Sequence, residues 1–350
     1  MKSRSMLILI PLLFSCCLHT ASRFETLDTA GMSWYRGNTH THAREGESDS
    51  TVPEAAQWYK NNGYQFLVIT DHSVITYPPE LTALADSSFL LMPGEEIMGY
   101  AGEDLVEING LNIREAIMPW HGETASTVLQ ELIDDVRRQN GVPVINHPNF
   151  QWRMDRYALS GTENCNLFEL YNGCPGTNNE GDENHPGLEE VWDSVLSSGK
   201  RIYGIASDDG HEYKRFSPEL SNPGKGWIVV QARRLHAEEI LRNLESGLFY
   251  SSTGVGIQDI RIHTRKIEIE IKQEPGLNYK TDFIGSGGKI LKSTKKNPAV
   301  YRLSDETLYV RARIKDSKGR FAWMQPVFVA TRAGSRDHRP HHAGQGENPL

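Results

Sequence analysis

Cysteine is scarce in this sequence, because the 350 residues contain only four. Cys165 and Cys174 are the two that lie outside the N-terminal segment, and the segment between them, NLFELYNG, is predicted to be a strand. Nine residues of extended chain span up to ~30 Å, whereas the Cα atoms of a disulfide lie ~5.5 Å apart. We therefore predict that these two cysteines do not pair with each other.

Nucleotide-binding motifs are also missing. The sequence has neither a GxxxxGK[ST] loop nor a glycine-rich dinucleotide pattern that opens a helix. Residues 1–255 carry 19 basic and 35 acidic side chains, whereas residues 256–350 carry 18 basic and 10 acidic ones. An acidic first part suits a protein that collects cations and argues against a nucleic-acid partner. We predict no nucleic-acid partner.

Long apolar runs are confined to the N terminus. Two basic residues precede the apolar run 6–14, and small residues follow it, which is the layout of a secretory signal. About ten apolar residues are too few to span a bilayer, so no transmembrane helix is predicted in the mature chain. We predict that residues 1–22 are a signal peptide and that the protein is exported to the periplasm or the extracellular space. The sequence LFSC also resembles a lipoprotein cleavage box, so a lipid anchor on Cys16 stays open beside cleavage after Ala21.

What the sequence does contain is a set of histidines and carboxylates at predicted strand ends. His40 and His42 lie two residues apart on an extended segment, so their side chains point to the same side and can reach one metal ion. Further on, Asp71 and His72 follow the short β-branched run 65–70. Capping residues and a proline predict a helix between these two segments. The unit is strand, helix, strand, with polar side chains where α/β folds keep their sites.

The same arrangement recurs along the chain. Predicted strands end on, or carry, the motifs GEE with Glu96, NHP with His147, LFELYNG with Glu169, and SDDGH with Asp209 and His211. Alternating strands and helices predict a parallel sheet. Because only a ring brings so many strand ends to one point, we predict a barrel.

In this order, the motifs NTHTHA, ITDHS, GEE, NHP and SDDGH resemble those of the PHP (polymerase and histidinol phosphatase) metallohydrolases. Within that family the chain is similar to the exported branch that includes carbamate-hydrolysing enzymes, over roughly residues 34–254. The resemblance implies an α/β fold in which residues 33–254 form a distorted (βα)7 barrel. It also implies a multinuclear metal site.

The metal ligands that the resemblance implies are His40, His42, His72, Glu96, Glu107, His147, Asp209 and His211. One ion would be held by His40, His42, Glu96 and Asp209, with Glu95 as the alternative to Glu96. Mixed imidazole and carboxylate ligands suit Zn, Mn or Fe, and two or three such divalent ions are expected.

Two further ions complete the implied site. Glu96 would bridge to a second ion, held by His147 and by either Glu107 or His121, because Glu107 stands where relatives carry a histidine. His72 and His211 would hold a third ion. Asp49 is a further candidate ligand for that third ion, and Asp71 and Glu169 are candidates for orienting the ligands from outside.

The function implied is hydrolysis of a small-molecule phosphate ester by a metal-bound hydroxide, with Asp209 or His211 relaying the proton. Arg44, Lys214 and Arg215 are candidates for binding the phosphate. A carbamate, ester or amide hydrolase on the same metal site is one alternative. The other is a non-catalytic exported module that binds metal or glycan.

From residue 255 the pattern changes to alternation of apolar and polar residues. This period of two predicts antiparallel strands with one buried face, so residues 255–331 are predicted to form a small β-sandwich domain. Residues 332–350 are polar and rich in Gly, Pro and His, and we predict a disordered tail.

Overall fold

The computed structural model describes residues 23–26, 29–76, 81, 83–304 and 307–330. The signal peptide in 1–22, the lipid anchor at Cys16 and the disordered tail in 332–350 lie outside these residues and stay predictions. No helix within the described ranges is long and apolar enough to cross a membrane.

The first part of the chain alternates strands with helices. Its strands are β1 Arg23–Phe24, β2 Ser33–Asn38, β3 Phe66–Ile69, β4 Leu90–Ala101, β5 Asp104–Leu111, β6 Trp120–Gly122, β7 Val142–Ile145, β8 Leu167–Asn172, β9 Tyr203–Ser207, β10 Trp227–Ala232 and β11 Phe249–Ser252. Its helices are α1 Val52–Asn61, α2 Ala125–Arg138, α3 Arg156–Ser160, α4 Leu188–Ser197 and α5 Ala237–Glu245.

Local sequence explains the helices. Thr51 and Glu54 form a reciprocal capping box at the start of α1, and a proline follows the cap. The Thr124 hydroxyl caps α2, and the five residues that α2 buries are those of the predicted apolar stripe: Val128, Leu129, Leu132, Ile133 and Val136. In the fold, α1 packs on β3, and α2 packs on β4, β5, β6 and β7.

The sheet runs in the order β2-β3-β4-β5-β7-β8-β9. Its pairs are parallel except at β5, which is antiparallel to both β4 and β7. Gly102 has a φ of 65° and lies in the two-residue turn between Ala101 and Asp104, so β4 returns at once as β5 without a helix. A mixed α/β fold with a large sheet is confirmed, whereas a barrel of seven regular strand–helix units is not.

The segments that follow β2 and β9 meet beyond the ends of these strands. Thr41 and Gly210 form an isolated parallel bridge. The amide of Asp209 donates to the carbonyl of His40 at 3.1 Å, and the amide of His42 donates to that of Gly210 at 3.0 Å. The first and last strands of the series are therefore joined at the end where the predicted ligands lie.

Nearer the start of β9, side chains form hydrogen bonds with the backbone of this edge strand. The Ser251 hydroxyl donates to the carbonyl of Gly204 and accepts from the amide of Ala206. The Gln325 amide group both donates to and accepts from Gly204. These bonds occupy backbone groups of β9 that a neighbouring strand would otherwise pair.

The C-terminal part is antiparallel, as its alternation predicts. Its strands are β12 Gly256–His263, β13 Lys266–Lys272, β14 Tyr279–Gly285, β15 Lys289–Thr294, β16 Ala299–Arg302, β17 Tyr309–Asp316 and β18 Phe321–Ala330. The three-stranded sheet β12-β13-β16 shares an apolar core with the strands β14, β17 and β18. Because β18 also pairs with β11, both parts of the chain belong to one continuous large sheet.

A buried ion cluster joins the two parts. Arg311 of β17 donates to both carboxylate oxygens of Asp193 on α4, at 2.7 and 2.6 Å, and to Glu189 at 2.9 Å. The Tyr309 hydroxyl donates to the same aspartate at 2.9 Å. Since Arg311 is only 1% exposed, its charge depends on these partners.

Candidate metal centre

Four predicted ligands meet at the strand ends. His40, His42, Glu96 and Asp209 are all buried and form one group of potential ligand atoms. The Nε2 atoms of both histidines lie 3.1 Å from Glu96 Oε2 and 3.2 Å from Asp209 Oδ1. The first ligand set implied by the motifs is therefore brought to one place.

These atoms are close together without being hydrogen-bonded. The Nε2 atoms of His40 and His42 and the Oδ1 atom of Asp209 are buried and have no hydrogen-bond partner. Four ligand atoms arranged tetrahedrally around Zn²⁺ at 2.0–2.1 Å lie about 3.3 Å from one another. The geometry is thus that of ligand atoms which converge on a shared point, and the group fits a transition-metal ion.

A second group shares Glu96 with the first. It contains His72, Glu96 and Glu107, with His72 Nε2 placed 3.0 Å from Glu96 Oε2 and 3.7 Å from Glu107 Oε1. On the other side, His147 Nε2 lies 3.1 Å from Glu96 Oε1 and 3.8 Å from Glu107 Oε2. Both oxygens of Glu96 therefore face imidazoles, and Glu107 occupies the position between His72 and His147.

A third group includes a residue that the sequence reasoning missed. Glu47 lies with His42 and His72, and its Oε2 is 3.5 Å and 3.3 Å from their respective Nδ1 atoms. Burial raises the pKa of Glu47, but the nearby imidazole of His42 and the amide and imidazole of His72 lower it to about 2. The loop contains Glu45, Glu47 and Asp49 in close succession, and a loop has no periodicity that would distinguish them.

Asp49 has a different environment from the predicted one. Its carboxylate accepts the amides of Tyr213 and Lys214 at 2.8 and 3.1 Å, together with the Ser50 hydroxyl. It lies outside the three groups of potential ligands. These bonds connect the loop before α1 to the loop that carries His211.

His211 stacks on His42 with ring centroids 4.0 Å apart. Its Nδ1 lies 2.9 Å from the carbonyl oxygen of Asp209, and a carbonyl can only accept, so Nδ1 carries the proton. In the neutral ring, Nε2 then holds the lone pair. Burial and the neighbouring His42 lower the pKa of His211.

Two other predicted ligands lie away from the cluster. Glu95 points to the opposite face of β4, where it accepts the amide of Ile117 at 2.8 Å, and burial raises its pKa to about 7. His121 is exposed and stacks on Tyr100, with ring centroids 4.9 Å apart. Of the alternatives left open by the sequence, Glu96 and Glu107 are thus the residues at the cluster.

Glu169 accepts hydrogen bonds from two of the predicted ligands, His40 and His147. Its Oε1 accepts from His40 Nδ1 at 2.7 Å and from the Ser207 hydroxyl at 2.5 Å. Its Oε2 accepts the amide of His147 and the side chain of Asn172, both at 2.8 Å. A carboxylate on Nδ1 places a proton on that nitrogen, so in the neutral ring of His40 the lone pair is on Nε2, the atom that faces Glu96 and Asp209.

Asp71 orients backbone rather than an imidazole. Its Oδ1 accepts the amides of Ala43 and Arg44 at 2.8 and 2.9 Å. Ala43 and Arg44 directly follow His40 and His42 in the sequence. The carboxylate therefore holds the loop in which His40 and His42 lie.

Two predicted ligands lie in a strained part of backbone space. Asp209 has a φ of 49°, and His147 has a φ of 21°. Residues other than glycine rarely adopt positive φ, and such conformations cluster at functional sites. The hydrogen bonds to Glu169 and to the His40 carbonyl are among the contacts that hold these residues in place.

The charge environment attracts cations. Burial raises the pKa of Glu96, but the imidazoles of His40 and His147 outweigh it and hold that pKa well below its ordinary range. Burial, followed by repulsion from Glu96, raises the pKa of Glu107 to about 7. Burial lowers the pKa of His147, whereas Glu96 raises it, so that it is about 9 overall. A divalent cation neutralises such a concentration of negative charge.

The three basic residues predicted to bind phosphate are placed differently. Arg44 is half exposed, and its guanidinium lies 3.6 Å from Glu47 of the third group. The ammonium of Lys214 lies 3.8 Å from Glu54 at the start of α1. Arg215 is exposed. Among the three, Arg44 is therefore the one in direct contact with a residue of the ligand groups.

No protein-family model and no curated protein matches the chain. Among solved structures, it is similar to a two-domain protein from Bacteroides vulgatus ATCC 8482 that contains a predicted PHP-like metal-dependent phosphoesterase, with 12% identity and a TM-score of 0.46 over 83% of this chain and 93% of that one. It is also similar to a protein from Bifidobacterium adolescentis ATCC 15703 whose assignment as a metal-dependent phosphoesterase is itself a prediction, with 12% identity and a TM-score of 0.38 over 53% and 92%. The resemblance to the exported carbamate-hydrolysing branch stays a prediction.

Proposed function

We propose that the protein is a metal-dependent phosphoesterase. The observation that carries this proposal is the position of Glu96, whose two carboxylate oxygens face different sets of imidazoles. A carboxylate shared in this way would hold two ions. Such ions would supply Lewis acidity, lower the pKa of a water and stabilise both the attacking and the leaving oxygen of a displacement at phosphorus.

The side chains of the cluster fit such ions by their chemistry. His40, His42, Glu96 and Asp209 would hold one ion, and Glu96, Glu107 and His147 would hold a second. Glu47, His72 and His211 are the candidates for a third. Imidazole and carboxylate ligands favour Zn, Mn or Fe among the common divalent ions.

The remaining residues prepare the site for the reaction. Glu169 fixes the His40 tautomer so that a lone pair, rather than a proton, points into the cluster. His211 donates Nδ1–H to a backbone carbonyl, so the lone pair on its Nε2 would either bind the third ion or, in a site with two ions, accept a proton and pass it on. Arg44, beside Glu47, is placed to pair with a phosphate oxygen.

A substrate screen tests this proposal. The chain, purified without chelators, is offered phosphomonoesters, cyclic and diester phosphates, and aryl carbamates. We expect hydrolysis of at least one phosphate ester, and loss of both metal and turnover in the variant with His40→Ala and His42→Ala. His263→Ala is a matched control, because that histidine is half exposed on β12 and pairs with Glu268.

Each other outcome counts against the proposal. Hydrolysis of carbamates alone would favour an ester or amide hydrolase on the same site. Full turnover in the double histidine variant would refute the metal-dependent mechanism. One ion or fewer per chain, with no turnover of any class, would favour a non-catalytic binding module.

A further inference from the structure

The β4–β5 hairpin continues beyond the metal groups. Glu96 and Glu107 lie within its strands, and their carboxylates belong to the cluster. Past them, Met98 pairs with Glu107, and Tyr100 pairs with Leu105 before the turn. The outer end of the hairpin therefore stands beside the cluster.

The direction of the side chains follows from alternation along the strand. Met98 and Tyr100 lie on the same face of β4 as Glu96. The opposite face packs on α2, because a Cβ at Gly99 would lie 2.4 Å from Val128. The Tyr100 hydroxyl lies 3.8 Å from the Met98 sulfur, which confirms that these two side chains share a face. Both are partly exposed.

His121 extends this face by pairing with Tyr100, whereas Trp120 is directed to the opposite face. His121 of β6 stacks on Tyr100 with an interplanar angle of 12°. The adjacent Trp120 points toward α2, where its indole nitrogen donates to Asp135 at 2.7 Å. The side chains of Trp120 and His121 are therefore directed to opposite faces of the sheet.

Phe150 and Arg153 continue the surface on the His147 side. The Phe150 ring lies 5.3 Å from the His147 ring in an edge arrangement. The Arg153 guanidinium lies 5.8 Å from the Phe150 ring and donates to the Leu105 carbonyl at 3.5 Å. Its other partner is the Gln151 side chain, so both hydrogen-bond partners of this cation are neutral.

We propose that this surface is a substrate subsite that takes an aromatic leaving group. The subsite consists of Met98, Tyr100, Leu105 and Phe150, with Arg153 at its edge. Its thioether and aromatic side chains suit a flat apolar ring. Arg153 supplies a positive charge for an anionic group of the same molecule. The preferred substrates are then phosphate esters of aromatic alcohols rather than of short alkyl alcohols.

This inference rests on the proposed function for the position of the phosphoryl group, at the metal cluster. Met98 is the next residue beyond Glu96 on the same face and pairs with Glu107, so we expect a ring attached to that group through one oxygen to contact it first. The continuity between the cluster and this face is what distinguishes the subsite from an ordinary exposed patch. Its recognition step precedes any bond breaking and can be measured without turnover.

Calorimetric binding of two non-hydrolysable phosphonates to the metal-loaded full chain tests the subsite. Phenylphosphonate and methylphosphonate share the anionic group and differ in the ring. We expect phenylphosphonate to bind about tenfold more tightly, as one aromatic contact would give. Tyr100→Ala is expected to reduce that ratio to below about threefold without changing methylphosphonate affinity, whereas Tyr100→Phe preserves it. Trp120→Ala is the matched control and is expected to leave the ratio unchanged.

Equal affinity for both phosphonates in the unaltered chain would overturn the subsite, even where phosphate esters are hydrolysed. A preference that survives the change of Tyr100 to alanine would also overturn it. A preference that is lost on this change, in a chain that hydrolyses no phosphate ester, would support the subsite while the proposed function fails. The two proposals are thus separately testable.

Discussion

Replacing Glu169 with glutamine exchanges one carboxylate oxygen for an NH₂ group. We expect this change to weaken metal binding, although Glu169 is not itself among the proposed ligands. The carboxylate accepts four hydrogen bonds, two at each oxygen. A glutamine that keeps its oxygen on the His147 and Asn172 donors must direct its NH₂ group at His40 Nδ1. That nitrogen would then have to accept, which moves the imidazole proton to Nε2, the atom that faces the ion.

The opposite orientation of the glutamine is no better, because its NH₂ group would then face two other N–H donors. Loss of a group that orients a ligand typically costs about 10–100-fold in metal affinity, or roughly 1.4–2.8 kcal/mol. Competition with a chromophoric chelator measures this affinity. We expect Glu169→Gln to lower it by this factor.

Glu239→Gln provides the control for this measurement. Glu239 is also buried and accepts a backbone amide, from Arg233 at 2.7 Å, but it lies on α5 away from the cluster. Its replacement is expected to leave metal affinity unchanged. If Glu169→Gln binds metal as tightly as the unaltered chain, the tautomer argument is wrong.

Three other predictions concern the junction, the third ligand group and stability. Arg311→Met leaves Asp193 buried without its partner, so the free energy of unfolding measured in urea should fall by about 3–5 kcal/mol. A decrease below about 1 kcal/mol would contradict the interpretation that the two residues form a buried ion pair. Glu47→Gln should lower the number of bound ions per chain, measured by elemental analysis, whereas Glu45→Gln, at an exposed residue of the same loop, should not. Equal metal content in the two variants would show that Glu47 is not a ligand. Chelation should lower the Tm and re-addition of Zn²⁺ or Mn²⁺ should restore it, because the ions bind the folded chain; an unchanged Tm would argue against a site of this affinity.

The parts of the site that the sequence predicts are those set by local pattern. His40 and His42 follow one strand, and Asp71 and His72 follow another, so their common location follows from the rule that parallel strands share an end. The antiparallel C-terminal strands were likewise predictable from their alternation, as in the β13 segment KIEIEIK.

Other features depend on contacts that local pattern does not contain. Glu95 and Glu96 differ only in the face of β4 to which each points, and packing against α2 decides that face. Glu47 lies in a loop, where no period applies. The bonds of Ser251 and Gln325 to β9 join residues far apart in the sequence, so no local pattern of apolar residues indicates them.

The most direct test of the metal centre is to locate its ions by anomalous X-ray scattering from crystals of protein purified without chelators. We expect at least two ions per chain, one bound by His40, His42 and Asp209 and a second beside His147, with Glu96 bound to both. A single ion, or ions bound without any contact to Glu96, would contradict this expectation.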